Sequence, residues 1–270
     1  MGLITTFLDL DNYVGQAPGR EKAGRAIDRL RVDPTEGFLG YLPANPLAKA
    51  RSWVPLGSQF EGDSYLLADE TQTLASGSIA MAAGGLLITT AASSTAVVTK
   101  GTRTYTPAAG QYWKAVTRLQ STTAATCGVL FGFDLASSTT PFTDDTDMVV
   151  IRCPNNSAAL TGRVRGNSGT AADNTTWVTS ETPGAALAAV SLANTTDMEL
   201  GVEFYLGSTL ATCWGAFWVN GYRTPFTAAQ LVQLFAILTT PPAMTRFLSI
   251  QGDGTGRTAT VQFMLGGCSR

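Results

Sequence analysis

From about residue 76 onward, short runs of alternating apolar and polar residues are separated by clusters of Ser, Thr, Asn, Asp and Gly. In "QYWKAVTRLQ", Trp113, Ala115, Thr117 and Leu119 fall on one side and Tyr112, Lys114, Val116 and Arg118 on the other. A period of two marks a strand with one buried face. "TCGVLFGFDL", "DMVVIRC", "MELGVEFYLG", "RFLSIQG" and "TATVQFMLGG" also read as strands, and "SIAMAAGGLLITTA" reads as two strands broken at Gly84-Gly85. Roughly a dozen strands in a region of this length is the density of a sandwich or jelly roll.

Two local signals sharpen this pattern. In "ATCWGAFWVNGYR", Cys213, Gly215, Phe217 and Val219 alternate with Trp214, Ala216 and Trp218, and Asn220-Gly221 follows. Asn-Gly accepts positive φ at both positions, so it predicts a two-residue hairpin turn back onto a short strand near Tyr222-Arg223. The alternation does not say which set faces the core. In "TPFTAAQLVQLFAILTTPP", Thr227 and Gln230 form a capping box, and Leu231, Leu234, Phe235 and Leu238 recur at helical spacing before Pro241-Pro242. That is one short helix with an apolar stripe to pack on the sandwich.

The first part of the chain differs. Residues 1–70 carry 17 of the 38 charged residues. "GREKAGRAIDRLRVD" (19–33) predicts a short helix, and Pro34, Pro43, Pro46 and Pro55 then favour extended chain. The expected organisation is an extended N-terminal arm over 1–75 and a jelly-roll domain over 76–270. Phe38, Tyr41, Trp53 and Phe60 are the arm's candidate partner-binding anchors, because a disordered linker lacks such residues.

Composition narrows the chemistry. There is no histidine. A Ser-His-Asp triad, a Cys-His pair and His-ligated zinc are therefore excluded. The net charge of -2 does not suggest a nucleic-acid partner. Cys127, Cys153, Cys213 and Cys268 form no C-x-x-C pair and read as buried free thiols. No apolar run reaches membrane-spanning length, and no secretory signal is expected at the N-terminus, which carries Asp9 and Asp11. Asp144, Asp145 and Asp147 in "TDDTD" are candidate metal ligands, read first as a solvated loop. Trp218 and Tyr222 are candidate glycan-binding aromatics among the larger set that also includes Trp113, Trp177 and Trp214. No cofactor is expected.

The run "MELGVEFYL" followed by "CWGAFWVNG" resembles the strand and V-N-G hairpin of laminin-G-like and concanavalin-like jelly rolls, over about residues 85–265. The resemblance implies an antiparallel jelly-roll sandwich. It also brings an enzymatic alternative, since laminarinase-like glycoside hydrolases place E-x-D-x-E on one strand. Here Glu199 and Glu203 keep both carboxylates on one face, and Gly201 replaces the Asp. The simpler reading makes both glutamates the solvated face of a strand whose core face is Leu200, Val202, Phe204 and Leu206.

The chain also resembles bacteriophage virion proteins in its Ala/Thr/Gly-rich texture. Taken together, these features lead to the expectation of a non-catalytic capsid decoration (cement) protein without catalytic residues. It would assemble in the host cytoplasm, localise to the virion surface and form a homotrimer. Its arm would bind the major capsid protein, and neither nucleic acid nor membrane would be a partner. A tail-fibre or baseplate adhesin that binds host glycan is the alternative, with a jelly-roll glycoside hydrolase behind it.

Overall fold

The computed structural model describes residues 53–56, 60–61 and 70–269, less 83–84, 92–95, 122–126, 139–141, 143–146, 155, 168, 181 and 183–185. The chain divides into two units, Met1–Trp53 and Val54–Arg270. The expected helix over 19–33, Phe38 and Tyr41 lie outside the described residues.

The second unit is the expected antiparallel β-sandwich. In chain order the strands are β1 (Trp53–Pro55), β2 (Phe60–Glu61), β3 (Glu70–Thr73), β4 (Ser78–Ala82), β5 (Gly85–Thr89), β6 (Ala96–Gly101), β7 (Tyr112–Ser121) and β8 (Gly128–Leu135). They continue with β9 (Met148–Cys153), β10 (Thr161–Arg165), β11 (Ala172–Asn174), β12 (Asp197–Tyr205), β13 (Trp214–Val219), β14 (Tyr222–Pro225), β15 (Met244–Gln251) and β16 (Thr258–Ser269). One sheet, called A here, runs β14-β13-β12-β7-β16-β5-β4, with β2 also bordering β16. Sheet B runs β11-β10-β9-β8-β15-β6-β3. Three strands therefore precede residue 76, and Phe60 pairs in register with Met264.

The alternation read from sequence decides which side of each strand is dry. Trp113, Ala115 and Leu119 of β7 and Leu200, Val202 and Phe204 of β12 are fully buried between the sheets. Trp113 stacks on Phe204 at 5.7 Å, and Phe133 of β8 stands edge-on to both at 5.2 and 5.6 Å. Rings meeting at right angles match positive edge to negative face, which adds to the burial of their large apolar area. On β13 it is Phe217 and Val219 that join the core between the sheets. This settles the face left open by the sequence and turns Trp214 and Trp218 outward. All four cysteines are buried and free.

The Asn220-Gly221 turn is present as expected. Val219 pairs with Tyr222, and both turn residues have positive φ, at 51° and 83°. The helix α1 (Ala228–Ala236) also forms where the capping box predicts. The Thr227 side chain accepts from Gln230 N–H, and Gln230 Oε1 accepts from Thr227 N–H at 3.0 Å. Gln230 is fully buried, and its Nε2 donates to Gly162 O at 2.9 Å, which ties α1 to β10.

One core feature breaks the apolar rule. Arg246 of β15 has no exposed side-chain surface and forms an ion pair with Glu70 of β3, which is equally buried. Arg246 Nε donates to Leu56 O at 3.2 Å, and Thr99 Oγ1 donates to Glu70 Oε2 at 2.9 Å. The arginine stem lies against β16 at Gly266, where a Cβ would come within 2.4 Å of Arg246 Cδ. A glycine is therefore the residue that lets the guanidinium cross the sheet.

Candidate functional site

The outer face of sheet A collects the polar and aromatic residues that the core excludes. The register places β12 between β7 and β13, so Glu203 stands beside Lys114 and Ala216, and Tyr205 stands beside Tyr112 and Trp214. Trp218 lies opposite Gly201 on one side and Arg223 of β14 on the other. Tyr222 pairs with Val219, whose side chain is in the core, so Tyr222 is not on the face that carries Trp218. One turn position separates the two expectations: Arg223, not Tyr222, joins Trp218.

Glu203 is the centre of this cluster. Its Oε1 accepts from Arg223 Nε at 2.8 Å, its Oε2 accepts from Tyr112 OH at 3.0 Å, and Lys114 Nζ lies 3.8 Å from Oε2. Glu203 is buried, at 6% exposure, which corrects the expectation of a solvated glutamate. Hydrogen bonds and opposite charges satisfy a carboxylate that water would otherwise have to serve. Lys114 is also buried, and burial lowers its pKa to about 8 against the opposing pull of Glu203 and Glu199. Tyr112 is pushed far up, first by burial and then by the adjacent Glu203.

Aromatic rings surround these charges. Trp214 is stacked with Tyr205 at 6.3 Å and tilted against Tyr112 at 5.7 Å. Arg223 lies over the Trp214 ring at 5.8 Å, and Lys114 lies over Trp218 at 5.4 Å. Trp218 Nε1 is buried without a hydrogen-bond acceptor among the described residues. Farther along β12, Arg118, Asp197, Glu199, Asn220 and Gly221 line an open depression of about 300 Å³.

Glu199 and Glu203 do share a face, but they are not drawn together. Four strand positions separate their Cα atoms by about 13 Å. Glu199 turns to Arg118 at 3.5 Å, while Glu203 turns to Arg223 and Tyr112. Trp218 crowds the position between them, since a Cβ on Gly201 would sit 3.1 Å from Trp218 Cβ. The spacing of the two glutamates is the one the E-x-D-x-E pattern has, and here each carboxylate is held by its own cation.

The remaining sequence candidates lie elsewhere. Trp113 and Trp177 are core residues with no exposure. Asp144 and Asp145 lie outside the described residues, and Asp147 precedes β9 at half-burial. No cluster of three metal-ligating side chains occurs among the described residues. Trp53 and Phe60 are placed in β1 and β2 by backbone. Tyr112, Lys114 and Arg223 were not singled out from sequence, although the face holding Tyr112 and Lys114 was legible in the alternation of β7.

No protein-family model matches the chain, and no curated protein matches it in sequence. Solved structures do share its fold. The carbohydrate recognition domain of Emp47p aligns with a TM-score of 0.52 at 11% identity, over 82% of this chain and 99% of that one. An endo-β-1,4-glucuronan lyase from the fungus Trichoderma reesei aligns at 0.51 and 12%, over 78% and 95%. The laminarinase catalytic domain of Thermotoga maritima aligns at 0.52 and 8%, over 80% and 98%. The expectation of a non-catalytic protein is corrected here, because enzymes stand beside a recognition domain among the structures with this fold. At these identities the likeness establishes the architecture, a jelly-roll β-sandwich of the kind found in lectin and glycan-cleaving domains.

Proposed function

We propose that this chain is a carbohydrate-active protein that engages a saccharide on the outer face of sheet A. The observation that carries this reading is the gathering of the partly exposed Tyr205, Trp214 and Trp218 around the ion-paired carboxylate of Glu203, which the buried Tyr112 holds in place. Sugar rings have apolar C–H faces that stack on aromatic rings, and their hydroxyls bond to fixed charged groups. The same fold serves carbohydrate recognition and glycan cleavage in the proteins named above, which is the ligand class this surface suits. A glycan array with the full chain, repeated with Trp214→Ala and Trp218→Ala, tests the reading. Binding that weakens by about tenfold or more in either variant supports it. A bare array, or binding indifferent to both changes, overturns it.

A catalytic form of the same reading is favoured by one observation. Lys114, lowered to about 8, touches a carboxylate that also accepts from Tyr112, and perturbed groups clustered in this way mark sites of proton transfer. Reducing-sugar release and unsaturated-sugar absorbance over a polysaccharide panel, with Glu203→Gln as control, test it. The capsid-decoration role, with its capsid partner, trimer and virion location, rests on texture and on arm residues mostly outside the described ones. It draws no support from the fold's relatives.

A further inference from the structure

The charge pattern of this face narrows the ligand class, on the reading that the face binds glycan. On β7, β12 and β14 this face carries Lys114, Arg118 and Arg223 against Asp197, Glu199 and Glu203. They are not evenly matched along the strand. Arg118 pairs with Glu199, while Arg223 and Lys114 both turn to Glu203. The end of the face bearing Trp214 therefore holds one surplus positive charge. The compensating carboxylate, Asp197, lies six positions away on β12, about 20 Å along the strand. That is roughly two and a half Debye lengths at physiological salt, so it does not cancel the surplus locally.

Arg223 is the accessible part of that surplus. It gives Nε to Glu203, and its Nη1 and Nη2 make no hydrogen bond among the described residues. Its side chain is 40% exposed and rests over Trp214. We propose that this face selects an acidic saccharide of the uronate class, whose carboxylate pairs with the Arg223 guanidinium while the sugar ring packs against the adjoining indole of Trp214. A planar guanidinium and a planar carboxylate form two parallel hydrogen bonds, which a neutral sugar cannot supply. Lys114 supports the same preference through space. It is flanked by Glu203, Glu199, Tyr112 and Arg223, whose two carboxylates favour its charged form against burial.

Isothermal titration calorimetry of the full chain tests this at neutral pH and low salt. The probes are oligoglucuronate, oligomannuronate and oligogalacturonate, each compared with the neutral oligosaccharide of the same linkage and length. At least one acidic oligomer should bind about tenfold or more tightly than its neutral counterpart, the effect of one charge-assisted pair. Added salt should shrink that ratio, Arg223→Gln should bring it towards one, and Arg223→Lys, which keeps the charge but loses the planar fork, should keep only part of it. Melting curves confirm that each variant is folded, and the salt dependence reads the same charge without any substitution. Neutral oligomers binding as well as acidic ones, or a ratio untouched by both salt and Arg223→Gln, would overturn the acidic preference and leave the glycan face standing. If nothing in either series binds, the acidic preference fails, and the glycan array alone decides whether the face binds another saccharide.

Discussion

Glu70→Ala isolates the buried charge of Arg246. Both side chains of this pair are fully buried, so removing the carboxylate leaves a guanidinium in the core with Leu56 O as its remaining acceptor among the described residues. Breaking a buried pair from one side costs about 3–5 kcal/mol, because the orphaned charge keeps its desolvation penalty and loses its partner. Thr99 Oγ1 also loses its acceptor on Glu70, which places the expectation in the upper half of that range. For a unit of this size each kcal/mol moves the melting temperature by about 2–4 °C, so a drop of about 8–20 °C is expected. Differential scanning calorimetry of Glu70→Ala, Arg246→Met and Glu70→Leu/Arg246→Met completes the test. The double variant should be far closer to the parent than Glu70→Ala, since replacing both charges with apolar groups is often near neutral. A Glu70→Ala protein that melts within about 2 °C of the parent would refute the reasoning, because that corresponds to less than about 1 kcal/mol.

Three further outcomes are expected. Gly221→Val should destabilise by about 1 kcal/mol or more through strain at φ 83° alone, since nothing lies within 4 Å of a Cβ there; an unchanged urea midpoint would count against this. A chain of Val54–Arg270 should fold on its own, as read by a cooperative melt, whereas one starting after Glu70 should melt far lower for lack of Leu56 and Glu70. Stability should fall as the pH rises above about 8.5. Burial holds Cys153 and Cys268 protonated to about 12 in the fold, while the unfolded thiols release their protons near 8.5. Lys114 acts in the opposite sense between about 8 and 10.4, because its folded pKa is the lower one. The urea midpoint from pH 8 to 10 should therefore decline, and Cys153→Ala/Cys268→Ala should flatten or reverse the decline.

Much of this fold was readable locally. The alternation in "QYWKAVTRLQ", the Asn220-Gly221 turn and the Thr227–Gln230 capping box each follow from residues within one turn or strand, and the structure contains all three. The Arg246–Glu70 pair was not readable, because its partners are 176 residues apart and nothing near either announces the other. The site was half legible for the same reason. The strand pattern placed Lys114 and Tyr112 on one face and both glutamates on another single face. It could not show that β7 and β12 are neighbours, so that a carboxylate expected to meet water meets Tyr112, Lys114 and Arg223 instead. The side of β13 facing inward was likewise fixed only by packing, through Phe217 against Phe226 at 4.6 Å and Trp177 at 6.0 Å.

The position of β16 governs when the protein can come into being. This strand, which follows every other strand of the sheet in the chain, lies in the middle of sheet A with β7 on one side and β5 on the other. Until Thr258–Ser269 has left the ribosome, two half-sheets are held apart, each with an unsatisfied edge of backbone donors and acceptors. Such edges invite pairing with other chains, and contacts between segments so distant in sequence form slowly. Cotranslational folding of this sandwich is therefore limited to fragments. A nascent chain stalled before β16 would call on holding chaperones, and a peptide spanning that strand would be the natural piece with which to rescue it.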